Sequence, residues 1–469
     1  MLAALILVLL MVPALALILP RWQRGLHLLA LYMPVSGMVT LWLHPSALPV
    51  LYKDLIILIP TYFAFFVLST REIAEARLPS ALWLPLVLFA LLVLVQMLNP
   101  NLHNAVVALI GAKVWLFYVP LLALTAAALR TRADLVALLR VLLVGAPFVA
   151  LVGLVQWGLV LTIGYQTAIR AFYGDAAFAA TQSFAVLEHG GAIFRIPGTF
   201  TFVTQYTGYL LSMLAVAYMV WRLDPSPGWR RLAVASLVLC VMAAATSGVR
   251  GMLVFVPLLM ALIFVIDGRV AGLLGWATVV PLLAVGLFSA ADVDPMLYAA
   301  AVAHLADRYG RDLVIPLLLQ AIEQNPLGLG TGMNTGASRY ALPPELSIFP
   351  ESFYAKAVNE LGIPGLVLIA YLFGVFILLA LRQRQVVGDA GLRAVAAAVA
   401  GFLIMMAAYS LKGWQLDLDP INAYFWMLLG IAVKLPWIAA QGAAAVPVQV
   451  VRYARPRPLR TRQVRRPVA

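Results

Sequence analysis

Runs of about 18 or more apolar residues recur along this chain almost from end to end. A stretch apolar on all sides has to be enclosed, by protein or by lipid. Of the 469 residues 64% are hydrophobic and only 11% are charged, so little polar chain is left over to enclose so many runs. Soluble domains carry about 25% charged residues. The mean hydropathy of +0.98 points the same way. In hydrocarbon each backbone N–H and C=O must be satisfied within its own segment, which leaves helices as the spanning form for runs of this length. The expected fold class is an all-α polytopic membrane protein.

Counting the runs gives about 12 to 13 transmembrane helices. Residues 1–161 form a first group, the polar segment 162–201 an outward loop, and 202–290 a central group. A larger loop, 291–352, holds apolar pieces too short to span, such as Arg311–Gln324, which read as interfacial helices. Spans resume over 353–440, and 441–469 is a basic tail. Met1–Pro20 has no basic residue ahead of it and is followed by Arg21 and Arg24. That is the reverse of a cleaved signal peptide and predicts an outside N-terminus.

The net charge of +13 does not call for nucleic acid, because the basic residues fall where topology wants them. With the tail assigned to the cytoplasm, the linkers bearing Arg382/Arg384/Arg393, Arg269, Arg222/Arg230/Arg231, Arg130/Arg132/Arg140, Arg71/Arg77 and Arg21/Arg24 all fall inside. The linkers at 46–49, 99–105, 162–201, 246–250, 291–350 and 412–420 fall outside and are poorer in Lys and Arg for their length.

The outward segments carry the chemistry. The first offers Arg170, Asp175, Glu188, His189 and Arg195, with Arg195-Ile-Pro-Gly-Thr-Phe leading directly into a span. An arginine at headgroup depth either grips a phosphate with two parallel hydrogen bonds or snorkels to its own lipids. Arg250 lies in a turn, Thr246-Ser-Gly-Val-Arg-Gly, too short to leave the membrane boundary. A charge at that depth wants a partner in protein, water or ligand. In the larger loop Arg308 and Arg311 are three apart, while Asp307 is placed to pair with Arg311. The glycines of Asn325-Pro-Leu-Gly-Leu-Gly-Thr-Gly lack the Lys-Ser/Thr of a phosphate loop and follow a helix, which excludes the nucleotide reading. A backbone loop passing close to a bulky ligand accounts for them. Glu351 opens a long helix and is either an ordinary first-turn acid or a general base. Lys356 and Glu360, four apart, are placed to pair with each other. Lys113 is an intramembrane charge, and the sequence names no partner for it. The five histidines are scattered and Cys240 is alone, so the sequence offers neither a metal site nor a disulfide, and no cofactor.

Four pieces, in this order and on one side, resemble the superfamily of O-antigen ligases and Wzy-type polysaccharide polymerases. They are Arg195-Ile-Pro-Gly-Thr-Phe, Thr246-Ser-Gly-Val-Arg250-Gly, Arg308…Arg311 running on to Asn325-Pro-Leu-Gly-Leu-Gly-Thr-Gly, and Glu351-Ser-Phe-Tyr…Asn-Glu360-Leu-Gly-Ile-Pro-Gly. They cover residues 195–365, under half of the chain. The resemblance implies a GT-C-like glycosyltransferase of the bacterial inner membrane, its N-terminus and active site periplasmic and its C-terminus cytoplasmic. It implies a polyprenyl-pyrophosphate-linked glycan as donor, a glycan acceptor and the bilayer as partners, and it leaves room for other polysaccharide-assembly proteins. In the ligases the fourth piece begins with histidine; here Glu351 stands in that place, which fits a polymerase, or a ligase with another acceptor, at least as well. Arg195, Arg250, Arg308 and Arg311 would hold the pyrophosphate, and Glu351 would be the base. A transporter of an anionic or lipid-linked solute, with the same arginines as its vestibule, is the rival class, and a non-catalytic assembly scaffold is a third.

Overall fold

The computed structural model describes residues 2–44, 48–102, 104–181, 185–188, 191–290, 314–335 and 352–444. Glu351, Arg308 and Arg311 therefore lie outside the described residues, as does the basic tail. Within them the chain is a bundle of helices with one small β-hairpin. The helices are α1 (Leu2–Ile18), α2 (Gln23–Trp42), α3 (Lys53–Leu68), α4 (Ser80–Gln96), α5 (Ala105–Ala128), α6 (Arg132–Ile163) and α7 (Tyr165–Thr181). After the hairpin come α8 (Val203–Leu223), α9 (Pro227–Ala245), α10 (Met252–Asp267) and α11 (Val270–Ala290). The chain continues with α12 (Val314–Gln324), α13 (Phe353–Val386), α14 (Ala390–Tyr409) and α15 (Ile421–Ala444).

Eight of these, α2, α5, α6, α9, α11, α13, α14 and α15, are long and apolar enough to cross a membrane. α3 and Thr70–Ala76, bent by 95°, form a broken span or a re-entrant loop, which makes up to nine among the described residues. The chain is thus a polytopic helical membrane protein. The apolar helices α4 and α10 are shorter. α8 is long enough but carries Tyr206, Thr207, Tyr209, Ser212 and Tyr218, all fully buried. It sits at the centre, packed on α6, α9, α10, α14 and α15, so protein and not lipid solvates it.

The segment predicted as the first outward loop has structure of its own. α6 runs to Ile163, α7 follows with a break at Gly174, and strands β1 (Ala185–Glu188) and β2 (Gly191–Phe194) pair antiparallel. α12 is an 11-residue helix with a strong apolar stripe, too short to span, and it packs against the start of α13.

Contacts sort the linkers into two ends. At one end Arg130 pairs with Glu72 and Glu75, Arg132 with Asp389, Arg140 with Asp224, and Arg222 with Asp267. At the other, the Thr199 hydroxyl donates to the Pro34 carbonyl, Ile196 N–H to Ser247 O, Asn99 to Gly328 O, and Phe353 N–H to Ser410 O. The five pairs at the first end join linkers assigned to the inside from the charge pattern. Apart from Pro34, in the middle of α2, the partners at the second end lie at or beside segments assigned to the outside.

Candidate active site

The predicted site has to be built from the segments that carry its arginines. Residues 195–200 do not float above the bundle. Ile196, Thr199 and Phe200 are buried. The Gly198 carbonyl accepts from Gln156 Nε2 at 2.9 Å and from the Tyr173 hydroxyl. Gly198 has φ +59 and a Cβ there would meet the Tyr206 ring at 2.5 Å, so glycine is required on both counts. Pro197 and Gly198 thus thread the chain into the bundle, and Arg195 is the last residue before it disappears. The Nε of Arg195 is buried and has no hydrogen-bond partner. A buried donor left unmet on a charged group is costly and marks a place where a ligand or water is expected.

The turn carrying Arg250 is pressed against that segment. Ile196 N–H donates to Ser247 O at 3.0 Å. Gly248 has φ +73, and a Cβ there would lie 2.2 Å from Phe194 O and 3.0 Å from Arg195 Cα. Ser247 caps its own turn through Ala244 O at 2.7 Å. The segments bearing Arg195 and Arg250, 55 residues apart in sequence, are therefore in backbone contact.

From this junction a line of packing leads to the start of α13. Phe255, in the second turn after Arg250, packs at a tilt of 44° against Tyr409 with ring centroids 4.3 Å apart. The next residue, Ser410, accepts from Phe353 N–H at 3.0 Å, and the Tyr354 hydroxyl donates to Ala407 O at 2.9 Å. Ser352, whose side chain caps α13, directly follows Glu351 in the chain. Arg170, by contrast, pairs with Asp175 at 3.2 Å and lies over the Phe178 ring.

Two expectations are corrected. Lys356 and Glu360 do not pair with each other. Lys356 Nζ meets Asp417 Oδ2 at 2.5 Å, both side chains buried. Glu360 is fully buried and accepts from Trp115 Nε1 at 2.7 Å and from Asn334 N–H at 2.9 Å. The four-residue spacing rule belongs to exposed helix faces; this stretch is enclosed by protein, and each side chain finds a partner from another element. The glycine-rich loop, too, is tight against protein and not a ligand. A Cβ on Gly328 would strike Glu360 O at 2.8 Å, and one on Gly332 would strike Val107 O at 2.1 Å. Leu329 and Gly330 N–H donate to Asn359 O and Glu360 O.

Sequence reasoning missed a buried charge cluster. Lys113, left without a partner, binds Asp54 Oδ2 at 2.5 Å. Asp54 also meets Lys53 at 3.2 Å, and Lys53 meets Asp419 at 2.8 Å. The only signal in the sequence was the presence of charge inside apolar runs. Burial pushes the Asp417 carboxyl up to about 6, with Lys356 pulling it down and Glu360 adding to the rise. Among the described residues no group of three or more His, Cys, Asp or Glu is arranged to hold a metal.

No protein-family model matches the chain, and none of the curated proteins compared with it is significantly similar.

Proposed function

We propose that this protein is a GT-C-like glycosyltransferase that moves a glycan from a polyprenyl-pyrophosphate donor to an acceptor sugar at the periplasmic face of a bacterial inner membrane, as a Wzy-type polymerase. The observation that carries the reading is the backbone contact between the Arg195 and Arg250 segments, with a buried Arg195 Nε lacking a partner. Two arginines carried on segments in backbone contact suit the fork of a pyrophosphate.

In this reading Arg195 and Arg250, with Arg308 and Arg311 from the larger loop, grip the pyrophosphate. Glu351 takes the proton of the acceptor hydroxyl, whose oxygen attacks the anomeric carbon from the face opposite the phosphate. The carbon–oxygen bond to phosphate breaks, and the electron pair leaves with the pyrophosphate, where the arginines stabilise the growing charge. One displacement inverts the anomeric centre. Transfer to a lipid A core or a protein would use the same residues with another acceptor.

The buried Lys53–Asp54–Lys113 cluster favours a second reading, a transporter of an anionic or lipid-linked solute, since transporters place charge within the bundle. One experiment separates the two. Purified protein in sealed-gradient-free nanodiscs is given a polyprenyl-pyrophosphate oligosaccharide. Turnover without any gradient is expected, with Arg195→Ala, Arg250→Ala and Glu351→Gln each losing about 100-fold or more in rate. Full activity in both Arg250→Ala and Glu351→Gln at normal protein levels would sink the assignment.

A further inference from the structure

At the bundle end that carries Arg130, the acids are used up before the cations are. Glu72 accepts from Trp22 Nε1 at 2.8 Å, from Gln23 Nε2 at 3.1 Å and from Arg130 at 3.1 Å. Glu75 meets Arg130 at 2.8 Å. Both acids of the short helix Thr70–Ala76 are thus engaged. Arg77, which ends that helix, and Lys434, which reaches it from α15, form no ion pair with any described residue; a carbonyl and an indole ring are their contacts.

Lys434 is only 2% exposed. An ammonium has three N–H groups to satisfy. One goes to the Glu75 carbonyl, at the end of the short helix, where a lysine is an ordinary cap. Its Nζ also lies 5.5 Å from the centre of the Trp437 ring. A carbonyl and a ring do not replace a counter-charge for an ion taken out of water.

Arg77 approaches the same ring. Its Cζ lies 3.8 Å from the Trp437 ring centre. Its backbone is left-handed, with φ 49 and ψ 49, and among the described residues it is the one non-glycine with positive φ. Glycine would make this turn without strain; arginine there brings a flat cation onto the indole. Stacking uses the face of a guanidinium and leaves its N–H edge to face an acceptor. Two cations therefore converge on Trp437, one exposed and one buried, with no acid left for either.

The surroundings select the anion. Val67, Leu68 and Ile73 before Arg77, and Trp83 and Leu84 after it, are exposed apolar side chains. In a polytopic membrane protein such a surface is covered by lipid chains. A ligand that reaches Arg77 across it has to be apolar along its length and anionic at its head. A guanidinium edge beside an ammonium suits phosphate oxygens.

We propose that Arg77, Lys434 and Trp437 form a binding site for the headgroup phosphate of an anionic phospholipid, at the end of the bundle opposite the arginine junction. The site needs neither the enzyme reading nor a choice of leaflet.

The test mixes full-length protein in detergent with phosphatidylglycerol or with phosphatidylcholine and counts retained lipid by native mass spectrometry. Phosphatidylglycerol is expected to be held about 10-fold more tightly. R77Q/K434M is expected to lose that preference, while R71Q, at an exposed arginine of the same short helix, keeps it. A folded R77Q/K434M with the preference intact overturns the proposal. So does an equal loss in R71Q, which would reduce the effect to general surface charge. Inorganic phosphate at matched ionic strength is expected to leave the lipid in place; displacement would show a site for the free ion and overturn the lipid assignment. Removing Lys434 also uncaps the short helix. Should the double variant not fold, R77Q alone has to lower the preference, and an unchanged preference overturns the proposal.

Discussion

Asp417 and Asp419 stand two residues apart in one turn, yet their carboxyls move in opposite directions. Burial raises both. For Asp417 one lysine opposes it and Glu360 adds to it, leaving the group at about 6. For Asp419, Lys53, then Lys113, and hydrogen bonds from Lys53 and Tyr118 outweigh burial and hold it below the ordinary value. The folded protein therefore binds a proton at Asp417 that the unfolded chain has released. Stability from this group is full below the ordinary carboxyl value of 3.8 and is lost as pH rises through about 6. Melting curves of wild type and Asp417→Asn between pH 4 and 7 check the sign. The wild type is expected to lose ground to the variant as pH rises, and a wild type that gains on the variant over this range refutes it. None of this was legible from residue identities. Arg195 and Arg250 were, because Pro and Gly beside an outward arginine limit where it can sit. Lys113 was visible as an anomaly, but Asp54, 59 residues away, could be paired with it only by the fold.

At the scale of elements, the hairpin turn between α9 and α10 shows why glycine patterns are hard to read. The turn at 246–251 and the loop at 325–335 both use glycine at positive φ. Sequence alone says only that something comes close. In the loop it is the chain's own backbone on α5 and α13; in the turn it is the backbone of Phe194 and Arg195. Gly248→Ala therefore brings both a left-handed strain of about 1–2 kcal/mol and a collision that has to push the Arg195 segment away. The expected outcome is a lower melting temperature together with donor KM raised about 10-fold or more, because both arginine-bearing segments shift at once. Gly275, where a Cβ would meet nothing, is the control: Gly275→Ala is expected to leave both measurements unchanged. Equal effects at the two positions would show that the contact at Gly248 does not govern the site. Helix existence was legible because apolar runs are long. The break inside α13 at Gly362, where φ is 73, and the burial of α8 were not, since each depends on which neighbours surround the helix.

For the molecule as a whole, the alternation of basic and non-basic linkers predicted two ends, and the contacts sort the same linkers into two groups. Surface ion pairs gather at the end carrying Arg130, Arg132 and Arg222; the arginine junction and the 410–420 turn lie at the other. The proposed orientation follows from the positive-inside rule, because short basic linkers resist translocation. The prediction is specific to two positions at opposite ends. In cells expressing Cys240→Ala protein, a cysteine at exposed Phe202, beside the Arg195 segment, is expected to react with a membrane-impermeant maleimide added outside. One at exposed Gly388, between α13 and α14, is expected to react only after the membrane is opened. The reverse pattern would invert the bundle and put the arginines in the cytoplasm. There a lipid-linked donor would have to be used before it crosses the membrane, and the polymerase reading would lose its ground. Labelling of both from outside would mean that an odd number of crossings separates neither pair of linkers as assigned, which the two-ended ion-pair pattern does not permit. Topology thus constrains chemistry: the same arginine pair would serve the proposed donor site on one face and be an ordinary topological anchor on the other.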